Sequence, residues 1–274
     1  MIRGPASRLT RLRRYLQLWS ARYATGFHAR SAASIAWLKD RLTLLGYFWL
    51  AAIALLGAWK FAGSETPIGN VGGVFELALP YLLIAIAPLA GFRLGHAAFR
   101  RNRRQPATRL SLLGRWRSLA YRKVRGHASF GVSGLVATLI VGLLFGIGLR
   151  TFEFALAIPA LDSGAPGWAH SLFLVASAEL VVMNFLYMIC FAMALYRVPL
   201  FPRMMVFVWL VDIASQLTMA GFYAGLDLPA DAVMALTQIL TNNANGVLLS
   251  MAIWLPYLIL SERVNVTFRH RIAG

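Results

Sequence analysis

The sequence predicts an all-α, polytopic integral membrane protein with six transmembrane helices and both termini in the cytoplasm. Three observations carry that expectation. The chain of 274 residues is 59% hydrophobic and 14% charged, more apolar surface than a soluble core of this length can hide, whereas six spans of about 20 residues absorb it. The apolar residues fall into six separate runs. Of the 27 Lys and Arg residues, 25 lie on one side of those runs: nine from Arg3 to Arg41, eleven from Arg93 to Arg125, Arg197 and Arg203, then Arg263, Arg269 and Arg271. Basic residues of short flanking loops stay in the cytoplasm, so this alternation fixes orientation as well as span count. Lys60 and Arg150 are the two exceptions.

Residues 1–41 read as a cytoplasmic basic amphipathic segment. Leu9, Leu12, Leu16, Trp19 and Tyr23 recur at steps of three and four, with Arg8, Arg11, Arg13, Arg14 and Arg22 largely around the other sides. Such a helix lies in the headgroup plane and contacts lipid. A cleaved organelle presequence has the same Arg-rich, acid-poor composition. An equally basic block in mid-chain, where no presequence can be, makes retention in the cytoplasm the simpler explanation.

Residues 42–92 form the first helix pair, with spans Leu42 to Ala62 and Val74 to Phe92. Pro80 and Pro88 either break the second span or are tolerated kinks. Residues 93–126 are a basic cytoplasmic linker in which Arg100, Arg101, Arg103 and Arg104 are expected to contact anionic headgroups. Leu110, Leu113, Trp116, Ala120 and Val124 follow helical spacing, predicting a second interfacial helix opened by Pro106. Residues 127–274 supply four more spans: Phe130 to Leu149, Trp168 to Leu195, Met204 to Tyr223, and a last one ending at Leu260 with its outer end near Thr241. Thr151 to Gly167 is expected as an exposed segment. Pro229 to Leu240, started by Asp231, is expected as an extension or interfacial helix. The outer loops carry acids, Glu65, Glu153, Asp162, Asp227 and Asp231, and few basic residues.

A net charge of +17 would suggest nucleic acid in a soluble protein. Here the charge is segregated beside spans, where anionic headgroups are the nearer partner. The single Cys190 lies in an apolar run, so neither a disulfide framework nor a paired-cysteine metal site is expected. No cofactor is implied.

Chemistry at membrane depth falls to a few polar residues. Glu179 sits about 16 Å in from the outer end of the fourth span and Asp212 about 13 Å in from the inner end of the fifth, at 1.5 Å per residue, so the two can meet near the midplane. Gln216 is one turn from Asp212, and Asn184 and Ser215 add polar atoms. With no Lys or Arg expected at that depth, the carboxylates would be protonated, hydrogen-bonded to amides, or facing water. Gly142 and Gly146 predict close packing of the third span within the chain. Asn242, Asn243 and Asn245 either line a polar vestibule or cap an irregular helix end. Gly131-Val132-Ser133-Gly134 is superficially similar to the nucleophile motif of rhomboid proteases, but the serine needs a histidine base, and none of His28, His96, His127, His170 and His270 lies within an expected span. Metalloprotease and nucleotide-binding motifs do not occur in the sequence.

Trp254, Pro256 and Tyr257, followed by Ser261, Arg263, Val264, Thr267 and Phe268, resemble the closing signature of a family of bacterial membrane proteins, domain-of-unknown-function family 2569. There the last span ends in Trp-x-Pro-Tyr and runs into Ser-x-Arg-Val-x-x-Thr-Phe. Phe201-Pro202-Arg203, opening the fifth span, is also similar. The resemblance covers roughly residues 127 to 270. Where that family commonly has further lysines, this chain has Glu262 and Asn265. The resemblance implies a fold and a bacterial inner-membrane location and transfers no site. Read physically, Pro256 removes a helical hydrogen bond and should kink the last turns. Trp254 and Tyr257 suit the interfacial belt, and Arg263 can reach phosphates.

Three functional classes follow from the sequence. The first is a non-enzymatic scaffold, accessory subunit or lipid-contacting module with a possible membrane-protein partner. The second is a small proton- or cation-coupled transporter or channel using Glu179 and Asp212. The third is a membrane enzyme.

Overall fold

In lipid the backbone must satisfy its own polar groups, which leaves helices as the economical form for apolar runs. The computed structural model describes residues 23, 25–62, 71–99, 105–106, 115–159, 161, 165–226 and 228–274. Six of its helices are long and apolar enough to cross a membrane: α2 (Leu42–Ala62), α3 (Val71–Phe99), α5 (Leu135–Ala157), α6 (Gly167–Leu195), α7 (Phe201–Ala224) and α8 (Ala230–Leu260). Three shorter helices accompany them: α1 (residues 25–40), α4 (Tyr121–Arg125) and α9 (Glu262–Arg269). A two-stranded antiparallel sheet joins β1 (Trp116–Ser118) to β2 (Arg271–Ala273), with Arg117 opposite Ile272.

Several boundaries differ from those the sequence suggested. The second span continues past Phe92 to Phe99 with Pro80 and Pro88 inside one helix. The third begins at Leu135, because Gly131 and Gly134 take φ of 116° and 63°, turn conformations outside the right-handed helix. It then runs to Ala157, so Arg150 and residues 151–157 are helical and not an exposed loop. The last span and its extension are one helix, which places Asn242, Asn243 and Asn245 in its interior and not at an end. Of the interfacial helix expected from Pro106 to Val124, residues 107–114 lie outside the described residues, 116–118 pair with the C-terminal strand, and α4 is helical up to Arg125. Such long-range pairing overrides a local period.

Helices α3 and α6 approach most closely. A Cβ on Gly91 would overlap the Phe185 carbonyl, and one on Gly95 would stand 2.8 Å from the Ala192 Cβ. This is a small-xxx-small contact of the kind that lets backbones meet in lipid. It was expected instead at Gly142 and Gly146, where the structure has nothing within 4 Å of an added Cβ. Trp49 on α2 donates from its indole nitrogen to the Ala85 carbonyl at 2.9 Å, tying the first pair together.

The bundle holds two apolar cores. One packs Val136 to Ile147 of α5 with Met183 to Leu195 of α6, Phe201 to Trp209 of α7, Phe268, and Ile35 and Leu38 of α1. The other gathers Ile53, Tyr81 and Ile84 with Phe154, Phe173, Leu180, Met219 and Tyr223. Arg150 of α5 and Asp212 of α7 lie between the stretches that feed the two cores, and Glu179 of α6 stands next to Leu180 of the second core.

The end carrying the basic segments is closed by α9. After Ser261 breaks α8 with ψ of 125°, the chain folds back so that Asn265 donates to the Ile259 and Ser261 carbonyls at 2.9 Å each, and Arg269 donates to the Leu258 carbonyl at 2.8 Å. These are carbonyls of the terminal turn, which a helix end cannot satisfy by itself. Two non-glycine residues here have left-handed backbone, Arg197 (φ 58°) and His270 (φ 50°). That conformation costs an L-residue roughly 1–2 kcal/mol.

Candidate functional site: a charged layer in mid-bundle

Asp212 is near the middle of α7 and Glu179 near the middle of α6, each roughly 18 Å from an end at 1.5 Å per residue. The structure brings them together through Arg150. Its guanidinium donates to both Asp212 oxygens, Nη1 to Oδ2 at 2.8 Å and Nη2 to Oδ1 at 2.9 Å, and Nη2 also donates to Glu179 Oε1 at 2.5 Å. The expectation that no basic residue reaches this depth is therefore wrong. Arg150 comes from α5, about two turns inside its end, and its long side chain covers the remaining distance.

The neutral groups complete the layer. Tyr187 donates its hydroxyl to Asp212 Oδ2 at 2.7 Å. Gln216 donates its amide to Glu179 Oε1 at 3.2 Å, and Ser215 lies 3.3 Å from the same oxygen while bonding the Asp212 carbonyl at 2.8 Å. Asn184 does not touch the acids. It donates to Thr151 Oγ1 at 2.9 Å, and Thr151 donates to the Ile147 carbonyl. Asp212 is fully buried, while the Arg150 and Glu179 side chains keep 17% and 11% exposure. A fork-shaped guanidinium bound bidentately by a carboxylate is the strongest form of such a pair, and here one fork serves two acids on two further helices. Two amide oxygens beside the layer, Asn184 Oδ1 and Gln216 Oε1, are buried with no hydrogen-bond partner.

Sequence reasoning named Glu179, Asp212, Gln216 and Asn184, and missed Arg150, Tyr187 and Thr151. A signal for Arg150 existed. Gly131, Ser133 and Gly134 are turn formers, and counting 20 apolar residues from Leu135 would have placed Arg150 inside the span.

The closing signature serves the end of α8. Arg263 donates to Ser133 Oγ at 2.8 Å. Thr267 accepts from the Gly131 amide at 3.0 Å, Val264 and Phe268 are buried, and the Phe268 and Phe201 ring centroids are 5.0 Å apart. Trp254 and Tyr257 meet edge-on at 5.9 Å, Pro256 lies within α8, and Ser261 forms the junction. The Ser133 hydroxyl is thus held by an arginine. His96 and His170 do fall inside long helices, yet the ring beside this turn is that of His28, which an added Cβ on Gly134 would overlap. Burial, then Arg263, lowers the His28 pKa. Cys190 is buried. Among the described residues no three His, Cys, Asp or Glu side chains gather as a metal site. Arg8, Arg11, Arg13, Arg14, Arg100, Arg101, Arg103 and Arg104 lie outside the described residues.

No family model, curated protein or solved structure matches the chain.

Proposed function

We propose that this chain is a non-enzymatic membrane scaffold or accessory module of the bacterial inner membrane, in which the Arg150–Glu179–Asp212 layer fastens three spans together. The observation that carries the reading is the bidentate Arg150–Asp212 pair at a fully buried aspartate, with Glu179 of a third helix on the same guanidinium. Such a group fixes the relative register of α5, α6 and α7, and separating it in lipid would leave an uncompensated charge. The test is reconstitution. Vesicles containing the wild-type chain should show no proton or cation flux above empty liposomes across a range of pH and potential, and flux abolished by Glu179→Gln would sink the scaffold reading.

One observation favours the second reading, a proton- or cation-coupled path. Two carboxylates share one guanidinium, and the Gln216 amide that bonds Glu179 has its own oxygen buried without a partner, so the layer has capacity for one further positive charge.

The proposed orientation places both termini in the cytoplasm, supported by the partition of basic residues. Reporters fused after Asp40, Arg115, Leu200 and His270 should read cytoplasm, and those after Ile68, Asp162 and Leu228 the outer side. An odd number of crossings would contradict it.

A further inference from the structure

At the basic end, α1, α4, the α6–α7 turn and the end of α9 converge on a cavity of about 550 Å³, within the roughly 300–1,000 Å³ range of small-molecule sites. Lys39, Arg125 and Arg197 line it, together with Tyr121, Thr267 and His270. We propose that this cavity binds a phosphate group, carried by a membrane lipid headgroup or by a small soluble phosphate compound. Four independent parts of the fold thus deliver positive charge and polar side chains to one place, although they are far apart in sequence.

Charge is the first argument. The segments holding the 25 basic residues contain two acids, Asp40 and Glu262. Glu262 is engaged with His127 at 3.7 Å and with the Ser129 hydroxyl at 3.4 Å, and Asp40 is exposed. Neither is among the residues lining the cavity. Basic cavities between helices at a cytoplasmic surface are where lipid phosphates bind, and a guanidinium matches phosphate oxygens in pairs.

Backbone conformation is the second argument, and it is independent of charge. The two non-glycine residues with positive φ among those described, Arg197 and His270, both line this cavity. Each follows a helix at a position where glycine or asparagine is the usual choice. A strained residue persists where its side chain is used, and here both side chains address the same space. Burial, then the charge of Arg197, lowers the Lys39 pKa, which a bound anion would reverse. Aromatic rings hold the cations in place. Lys39 lies 5.8 Å from the Tyr196 ring centroid, Arg125 5.8 Å from Tyr121, and Arg197 5.3 Å from Phe130.

This site goes beyond the scaffold reading and does not rest on it, since a conducting chain could carry the same cavity; binding and flux experiments fail separately. The full chain in dodecyl maltoside, a detergent without phosphate, is titrated calorimetrically with dioctanoyl phosphatidic acid, with inorganic phosphate, and with dioctanoyl glycerol as the phosphate-free control. Saturable binding of phosphatidic acid and none of dioctanoyl glycerol is expected. Displacement of phosphatidic acid by inorganic phosphate assigns the site to soluble phosphates as well, and resistance to it assigns the site to lipid. Lys39→Gln with Arg197→Gly should weaken binding about 25-fold, at roughly fivefold for each basic residue lost near an anion. Arg117→Ala with Arg122→Ala removes equal charge from exposed residues outside the cavity lining and should change affinity less than about twofold. Glycine suits the left-handed backbone at position 197. If the pair nonetheless fails to fold, Lys39→Gln alone should give the fivefold loss. Absence of saturable binding by either phosphate probe, or equal weakening by the two pairs, overturns the proposal.

Discussion

Among the described residues, arginines are held inside the fold in two regions, and they are compensated in opposite ways. In mid-bundle, Arg150 faces two carboxylates. At the basic end, Arg269 and Arg271 are 4% and 2% exposed, and Arg269 donates to the Leu258 carbonyl and Asn265 Oδ1, which Arg271 Nε also bonds at 2.8 Å. The Arg271 guanidinium lies 4.9 Å from the Trp116 ring centroid. Burial, then Arg271 and Arg203, lowers the Arg269 pKa to about 10. A charge surrounded by lipid demands a countercharge, whereas one near the headgroups can be held by neutral dipoles and a ring. The mid-bundle arginine therefore has its charge met within the protein, and the basic end keeps a surplus of positive charge.

The largest effect should come from breaking the balanced region. Arg150→Ala leaves two carboxylates facing each other without a cation, and should lower stability by about 3–5 kcal/mol, read as a fall in the thermal midpoint of the detergent-purified chain. The matching change at the basic end, Arg269→Ala, loses neutral hydrogen bonds and should cost about 1–3 kcal/mol. Equal losses would erase the distinction between the regions.

Much of this contrast was legible in the sequence. The six runs and the basic partition gave span count and charge segregation because hydropathy and loop charge act locally. Glu179 and Asp212 stood out because ionised residues are costly inside apolar runs. Arg150 did not, since it looked like a span terminus until the left-handed turn at Gly131 and Gly134 moved the helix start to Leu135. The β1–β2 pair was hidden for another reason: three-residue strands carry almost no periodicity, and their partners are about 150 positions apart. Gly91 and Gly95 were as visible as Gly142 and Gly146, but spacing alone does not say which face meets a neighbour.

That last pair sharpens the comparison through packing. Gly91→Ala drives a methyl group into the Phe185 carbonyl and should cost about 1–3 kcal/mol, while Gly142→Ala, with open space around it, should stay within about 0.5 kcal/mol of wild type. Similar midpoints for both would show that α3 and α6 are not closely packed. Small too should be the effect of Glu179→Gln, about 1 kcal/mol or less, because the Arg150–Asp212 pair remains intact and neutral. A large loss there would mean that Glu179 is the principal partner.

The central claim, that the mid-bundle layer is a structural fastening, is tested most directly by a double-mutant cycle on Arg150→Met and Asp212→Leu in the Glu179→Gln background, where Asp212 is the acid left on the Arg150 guanidinium, with thermal unfolding of all four proteins measured in one detergent. Each single change strands a buried charge and should cost several kcal/mol, whereas the double replaces the pair by apolar side chains and should recover most of that loss, as exchanging a buried ion pair for packing commonly does. Losses that simply add, leaving the double weaker than either single, would contradict the account.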